Sequence, residues 1–289
     1  MKSPIKLFIA TPERFYTSEW LAWACRKAGG EIVGAPEDAD AVLVSLQDVG
    51  DVPHLRGTRK RLDVLPNRPL LICGGLQSWT GNGVALAYAD AVVVGEGSEW
   101  MQTACEQGLD EANRLPCVAT KADPWRNIMP SRELDIAGSP VVQVNKCGWY
   151  ALAGRGCRNK CAFCATSWST PYGRAPDGHA ERVKAALRHI SGARITFITN
   201  DSEGIDLETK TAQSMTVVDY LERADHVKAP LIRLGVEGLT EERRRWFGKP
   251  ISDDQLRAAY DLAAARRQEL HVFMIVGDVG DAAAVEQYA

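Results

Sequence analysis

Three of the chain's eight cysteines fall within eight positions. Cys157, Cys161 and Cys164 lie in GRGCRNKCAFC, residues 154–164, with the spacing C-x3-C-x2-C. Thiolates are soft donors, and three on one short loop suit a soft metal or an iron–sulfur cluster. A structural zinc site closes with four ligands. No fourth is obvious here: Cys147 lies ten residues before the group and His179 fifteen after it. Three protein ligands on a four-iron cluster leave one iron open, which is what chemistry on a bound molecule requires. The bland alternatives are a zinc knuckle or chance clustering.

The remaining cysteines, Cys25, Cys73, Cys105, Cys117 and Cys147, are scattered through strand-like or helix-like contexts and read mostly as buried packing residues. A chain of 289 residues with no secretion signal does not suggest a disulfide scaffold, which points to a reducing, cytoplasmic setting. MKSPIKLFIATPERF reads as a first strand, and no apolar run is long enough to span a bilayer. With a net charge of −3 there is no overall pull toward nucleic acid or membrane. Arg243, Arg244 and Arg245 read as a solvated helix face, and Trp100, Trp125, Trp149, Trp168 and Trp246 as packing residues.

The elements that must position the thiols follow from periodicity. Apolar runs at 5–10, 40–46, 69–75 and 90–97 alternate with helical patterns at 18–30, 54–65 and 98–109, the last with Ser98 as N-cap. This predicts an α/β domain over 1–115 with a parallel sheet covered on both faces. Ligands on such sheets bind at the carboxyl ends of strands, here marked by Ser45, Gly74, Gly75, Gly95, Glu96 and Gly97. Residues 116–142, proline-containing and aperiodic, read as a linker. A second alternation over 143–289 predicts strands near 193–201, 230–238 and 270–281 with a capped helix at 252–268, an arrangement that suggests a (β/α) barrel with chemistry at its carboxyl rim.

Cys157, Cys161, Phe163 and Cys164 match in full the C-x3-C-x-aromatic-C signature of the radical S-adenosylmethionine (SAM) enzymes, and the chain resembles that superfamily downstream as well. Gly235, Val236, Glu237, Gly248, Lys249 and Gly277 stand where members have a strand ending in Gly-Ile/Val-Glu, a later Gly-Lys and a glycine turn. TFITND, residues 196–201, is similar to the second barrel strand. The resemblance implies that the three cysteines hold a 4Fe-4S cluster and that its open iron takes SAM. It implies that Phe163 borders the adenine, that Asn200, Asp201 and Ser202 are candidates to contact the methionyl amine, and that Glu237 and Gly277 help seat the cofactor.

The first domain is similar to the flavodoxin-like domain of the cobalamin-dependent class. Ser45, Gly74, Gly75, Thr80, Gly95 and Glu96 hold the positions of its second and third binding loops, where a corrin's close approach favours glycine. The D-x-H-x-x-G loop is missing: the first loop reads TPERFYTSEW, and His54 follows a different strand. The fold implied is a flavodoxin- or Rossmann-like α/β sheet domain followed by a partial TIM-type radical SAM barrel. Only 125 residues follow Cys164, so the barrel is expected to be short, completed by another chain, or part of a fragment. The function implied is cobalamin-dependent methyl transfer to an unidentified substrate, with an electron donor such as flavodoxin or ferredoxin. The alternatives are other radical SAM chemistry beside a vestigial cobalamin domain, or a non-catalytic iron–sulfur or zinc interaction module.

Overall fold

The computed structural model describes residues 3–12, 15–47, 49–75, 82–95, 97–124, 136–164, 166, 172–198 and 212–277. These divide into two compact units, Met1–Gly156 with Trp168–Ile198, and Cys157–Ser167 with Thr199–Ala289.

The first unit opens with β1 (Lys6–Ile9), α1 (Phe15–Lys27), β2 (Glu31–Ile32), β3 (Ala41–Ser45), α2 (Val52–Leu62), β4 (Leu70–Gly74), α3 (Asn82–Leu86), β5 (Ala91–Val93), α4 (Ser98–Gln107), α5 (Leu109–Ala112) and β6 (Val118–Thr120). The sheet order is β2-β1-β3-β4-β5-β6. The first five strands are parallel, in the flavodoxin-like order, and β6 closes one edge antiparallel to β5. All five residues of β3 are buried, since both faces are covered. Ala41 and Leu43 pack with Leu7, Trp100 and Met101 on one face, while Val42 and Val44 pack with Leu55 and Leu71 on the other. At the strand amino ends Asp90 is a knot: its carboxylate takes Arg59, a two-pronged contact from Arg68, and the Leu71 amide.

Three expectations change here. The stretch 116–142 is not all connection, because Val118–Thr120 extends the sheet and Val118 and Ala119 are buried. Its apolar run is only three residues long, too short to register as periodicity. Gly97 takes the cap position before α4, so Ser98 is the first helical residue and not the N-cap. The compact units also divide the chain elsewhere than at 143.

That third difference arises because β7 (Val141–Gln143) and β8 (Gly148–Leu152) form a hairpin, with β11 (Arg194–Ile198) parallel to β8, and this sheet belongs to the first unit. β9 (Gly154–Arg155) pairs with β10 (Gly173–Arg174), and α6 (His179–Ala186) packs Val183 against Ala151. His179 is buried, and its Nε2 donates to the Leu152 carbonyl at 3.0 Å. Burial pulls its pKa below the ordinary histidine value, and Arg182 pulls the same way against that hydrogen bond. The unfolded chain therefore binds the proton more readily than the folded one. The stability this contributes is full above the unfolded histidine value and is lost as pH falls toward the folded value. A His179→Gln variant is expected to show a shallower loss of thermal midpoint between about pH 7 and 5 than the parent, as followed by circular dichroism; equal slopes would refute this.

The second unit contains β12 (Ala212–Met215), α7 (Val217–Arg223), β13 (Leu231–Glu237), α8 (Glu241–Trp246), α9 (Asp253–Ala265) and β14 (Glu269–Met274). Its sheet is parallel in the order β12-β13-β14. Along β13, Ile232, Leu234 and Val236 point into a core with Tyr220, Leu256 and Ala259, so Arg233, Gly235 and Glu237 share the opposite face. Helix α9 starts with a reciprocal capping box between Ser252 and Gln255, as its sequence predicts. The barrel-type strands thus form two three-stranded sheets, with no barrel closure among the described residues.

Candidate functional site

Within the second unit, Cys157, Cys161 and Cys164 line one pocket of about 270 Å³ together with Asn159, Phe163, Thr216, Arg233, Gly235, Glu237, Lys249 and Phe273. Its floor is the face of β13 left free by the core. Cys161 is buried, while Cys157 and Cys164 are half-buried. Phe163 is 42% exposed, and its ring meets Phe247 edge-on at 5.4 Å. The thiol loop is held by the turn after α8: the Ala162 amide donates to the Phe247 carbonyl at 3.0 Å. Gly248 has φ +76°, and a Cβ there would lie 2.9 Å from the Lys160 carbonyl oxygen. Glycine is thus required at 248 both for its backbone and for the close approach of the loop.

Glu237 ends β13 in the left-handed region, at φ 69°, beside a register shift between Gly235 and Glu237. A non-glycine residue in that region costs on the order of 1–3 kcal/mol, so contacts must hold it. Lys249 supplies them: its Nζ donates to Glu237 Oε1 at 2.8 Å and to the Gly235 carbonyl at 3.0 Å. A Cβ on Gly235 would lie 2.6 Å from that Nζ, so glycine keeps the contact possible. Oε2 of Glu237 has no hydrogen-bond partner among the described residues and can accept from a ligand. Nearby, Thr216 caps α7 and its hydroxyl donates to Asp219 at 2.7 Å.

Burial pushes the Cys161 thiol above the ordinary cysteine value. The Lys249 ammonium opposes this, while Cys164, Cys157 and Glu237 add to it. A buried thiol beside two others is a donor that a cationic metal centre would relieve. The three thiols therefore fit a 4Fe-4S cluster by type, number and setting. No group of three metal-ligating side chains among the described residues converges on a single point as a mononuclear ion requires. Cysteines that each hold a different iron of a cluster need no such point. Elsewhere, burial pushes Cys73 up to about 12, which suits a packing role.

In the first unit, Ser45, Gly74, Gly75 and Gly95 gather at the carboxyl ends of β3, β4 and β5. A Cβ on Gly74 would have nothing nearer than the Val93 carbonyl oxygen at 3.9 Å, so open space lies beside the strand end. Gly75 has a different reason for being glycine: φ is +95° and a Cβ would meet Leu46 O at 2.3 Å. The chain's own packing, and not only a ligand, demands it. Ser45 is buried, and its hydroxyl accepts from Gln47 at 3.0 Å. The space beside Gly74 would admit close approach of a flat cofactor. His54 donates to the Ala10 carbonyl just beyond β1.

Gly277 lies three residues beyond β14, with φ +111°, and does not line the thiol pocket. Thr80, Glu96, Asn200, Asp201 and Ser202 lie outside the described residues. Sequence reading missed Arg233, Thr216 and Asp219 in the pocket. For Arg233 the signal was available: a basic residue at an alternate position of an otherwise apolar strand faces away from the core. Arg244 corrects an expectation: within the basic run it is fully buried. Trp246 corrects another, being 64% exposed beneath the Arg243 guanidinium at 4.9 Å.

No family model matches the sequence, and no curated protein matches it significantly. Solved structures do match. The radical SAM methyltransferase TsrM from Kitasatospora setae, with tryptophan substrate and the analogue aza-SAM bound, aligns at TM-score 0.68 with 14% identity, over 99% of this chain and 71% of that one. The cobalamin-dependent SAM radical enzyme OxsB, with aqua-cobalamin and SAM bound, aligns at 0.69 with 12% identity, over 96% of this chain and 50% of that one. The chain thus spans half the length of OxsB and most of TsrM. From its flavodoxin-like sheet to the thiol pocket, it has the fold of these radical SAM enzymes.

Proposed function

We propose that this chain is a radical SAM enzyme that transfers a methyl group with the help of cobalamin. The observation that carries the reading is the convergence of Cys157, Cys161, Cys164, Phe163 and Glu237 on one pocket in a chain of this fold. Bound there, a 4Fe-4S cluster and SAM would supply the reductive cleavage chemistry, and cobalamin at the first unit's strand-end rim would carry the methyl group. The protein's part is positioning and exclusion of water. The three cysteines bind the metal, Phe163 offers a ring face to the nucleoside, and Glu237, with Oε2 available, accepts from its hydroxyls. The open space beside Gly74, at the strand ends that also carry Ser45, Gly75 and Gly95, is where a corrin would approach. A one-electron donor of the flavodoxin or ferredoxin kind is the implied partner.

The test is anaerobic reconstitution with iron and sulfide, then SAM, hydroxocobalamin and a chemical reductant. Deoxyadenosine is expected, together with retention of cobalamin through gel filtration. Deoxyadenosine without cobalamin retention would keep the radical chemistry and remove the methyl carrier. A loaded cluster that never cleaves SAM would overturn the enzyme reading.

A further inference from the structure

Lys249 makes three contacts that join β13 to the thiol loop, and the motif reading gives it no role beyond its place. Its ammonium holds Glu237 and Gly235 on β13, lies 5.8 Å over the Phe163 ring, and shares the pocket with all three cysteines. The preceding residues press on the loop itself, through the Phe247 carbonyl on Ala162 and through Gly248 against Lys160 and the Cys161 Cα. The Lys249 and Glu237 side chains retain only 15% and 13% of their exposure, so solvent screens their charges poorly.

We infer that Lys249 and Glu237 form a balanced charge pair that sets the reducibility of a cluster held by Cys157, Cys161 and Cys164, with Lys249 the positioning residue that ties the thiol loop to the end of β13. The inference rests on the metal reading above. One-electron reduction adds negative charge to a cluster already surrounded by three thiolates. A cation nearby stabilises the reduced form and a carboxylate opposes it. In the native pair the two fields largely cancel. Removing either partner leaves the other unbalanced, and the two removals act in opposite directions. A merely structural pair would not behave this way, since loss of either partner would loosen the same loop.

The experiment is potentiometric titration of the reconstituted protein without SAM, followed by electron paramagnetic resonance. Lys249→Gln is expected to lower the midpoint, cutting the reduced-to-oxidised ratio at fixed potential about threefold, or about 28 mV at 59 mV per decade for one electron. Glu237→Gln is expected to raise it by a similar amount. Lys249→Arg, which keeps the charge, is expected to stay near the parent value, and the double glutamine variant to return toward it. Shifts of the same sign in both single variants, or none in fully loaded protein, overturn the inference. If Lys249→Gln does not fold or load, Glu237→Gln decides: an upward shift supports the pair, and an unmoved or lower midpoint overturns it. A parent protein that binds no cluster overturns the metal reading and this inference with it, whereas a loaded cluster with unmoved midpoints overturns this inference alone.

Discussion

Cys161→Ala is expected to lose iron and sulfide after anaerobic reconstitution, and deoxyadenosine formation should fall to background. Cys161 is the buried member of the triad, 5% exposed, and its neighbours Ala162 and Lys160 are the parts of the loop that meet Phe247 and Gly248. Two thiolates remain in the variant, and two do not complete the donor set that a cluster with one open iron requires. The substitution removes a single sulfur from a tethered loop, so apo stability is expected to change by about 1 kcal/mol or less. The chemical loss can then be separated from unfolding by comparing thermal midpoints. Cys147→Ala is the companion. Cys147 sits in the turn between β7 and β8 of the first unit, and its replacement is expected to leave iron loading intact. Full loading of Cys161→Ala, or loss of loading in Cys147→Ala, would sink this assignment of ligands.

The largest stability effect is expected at Arg244. Its side chain is fully buried, and the guanidinium donates to the carbonyls of Ile251 at 2.7 Å, Gly238 at 3.2 Å and Leu239 at 3.3 Å, while also pairing with Asp253. One residue therefore satisfies both ends of the segment 238–253 that carries Lys249. Arg244→Met fills much of the volume but leaves three buried carbonyl oxygens and a carboxylate without their donor. The expected cost is about 3–5 kcal/mol. Asp253→Asn should cost less, about 1–2 kcal/mol, because that side chain is 46% exposed and water can replace part of the lost contact. Urea unfolding measured by circular dichroism checks both. An Arg244→Met variant within 1 kcal/mol of the parent would mean that the loop is held by its backbone alone.

Much of this molecule is legible in its sequence where local signals are strong. The strands at 6–9, 41–45, 70–74 and 231–237 sit inside the apolar runs that announce them, and α9 begins at its Ser252 cap. The thiol triad is legible because its spacing alone brings three soft donors onto one loop. Other features resist such reading because their cause is nonlocal. The three-residue strand β6 exists only because β5 offers it an edge. Arg244 looks like one of three solvated arginines until the chain's return through Ile251 and Asp253 buries it. Glycine at 75 suggests a ligand's approach, yet the nearest obstacle to a side chain is Leu46 O, brought there by β3 pairing with β4.

By itself the sequence determined the alternation of strands and helices, the parallel character of the first sheet and the grouping of three thiols at 157–164. These depend on residue type and short-range periodicity, which the chain carries locally. Only the tertiary structure decided what faces those thiols. Lys249 and Glu237 are twelve residues apart in the chain and lie 88 and 76 residues beyond Cys161. What brings them into one pocket is the burial of the opposite face of β13, which turns Glu237 and Gly235 away from the core, and the tight glycine turn at 248 that lays Lys249 across them. Side-chain direction on a strand is set by which face finds a partner, and that choice is made by the packed fold, not by any short stretch of sequence.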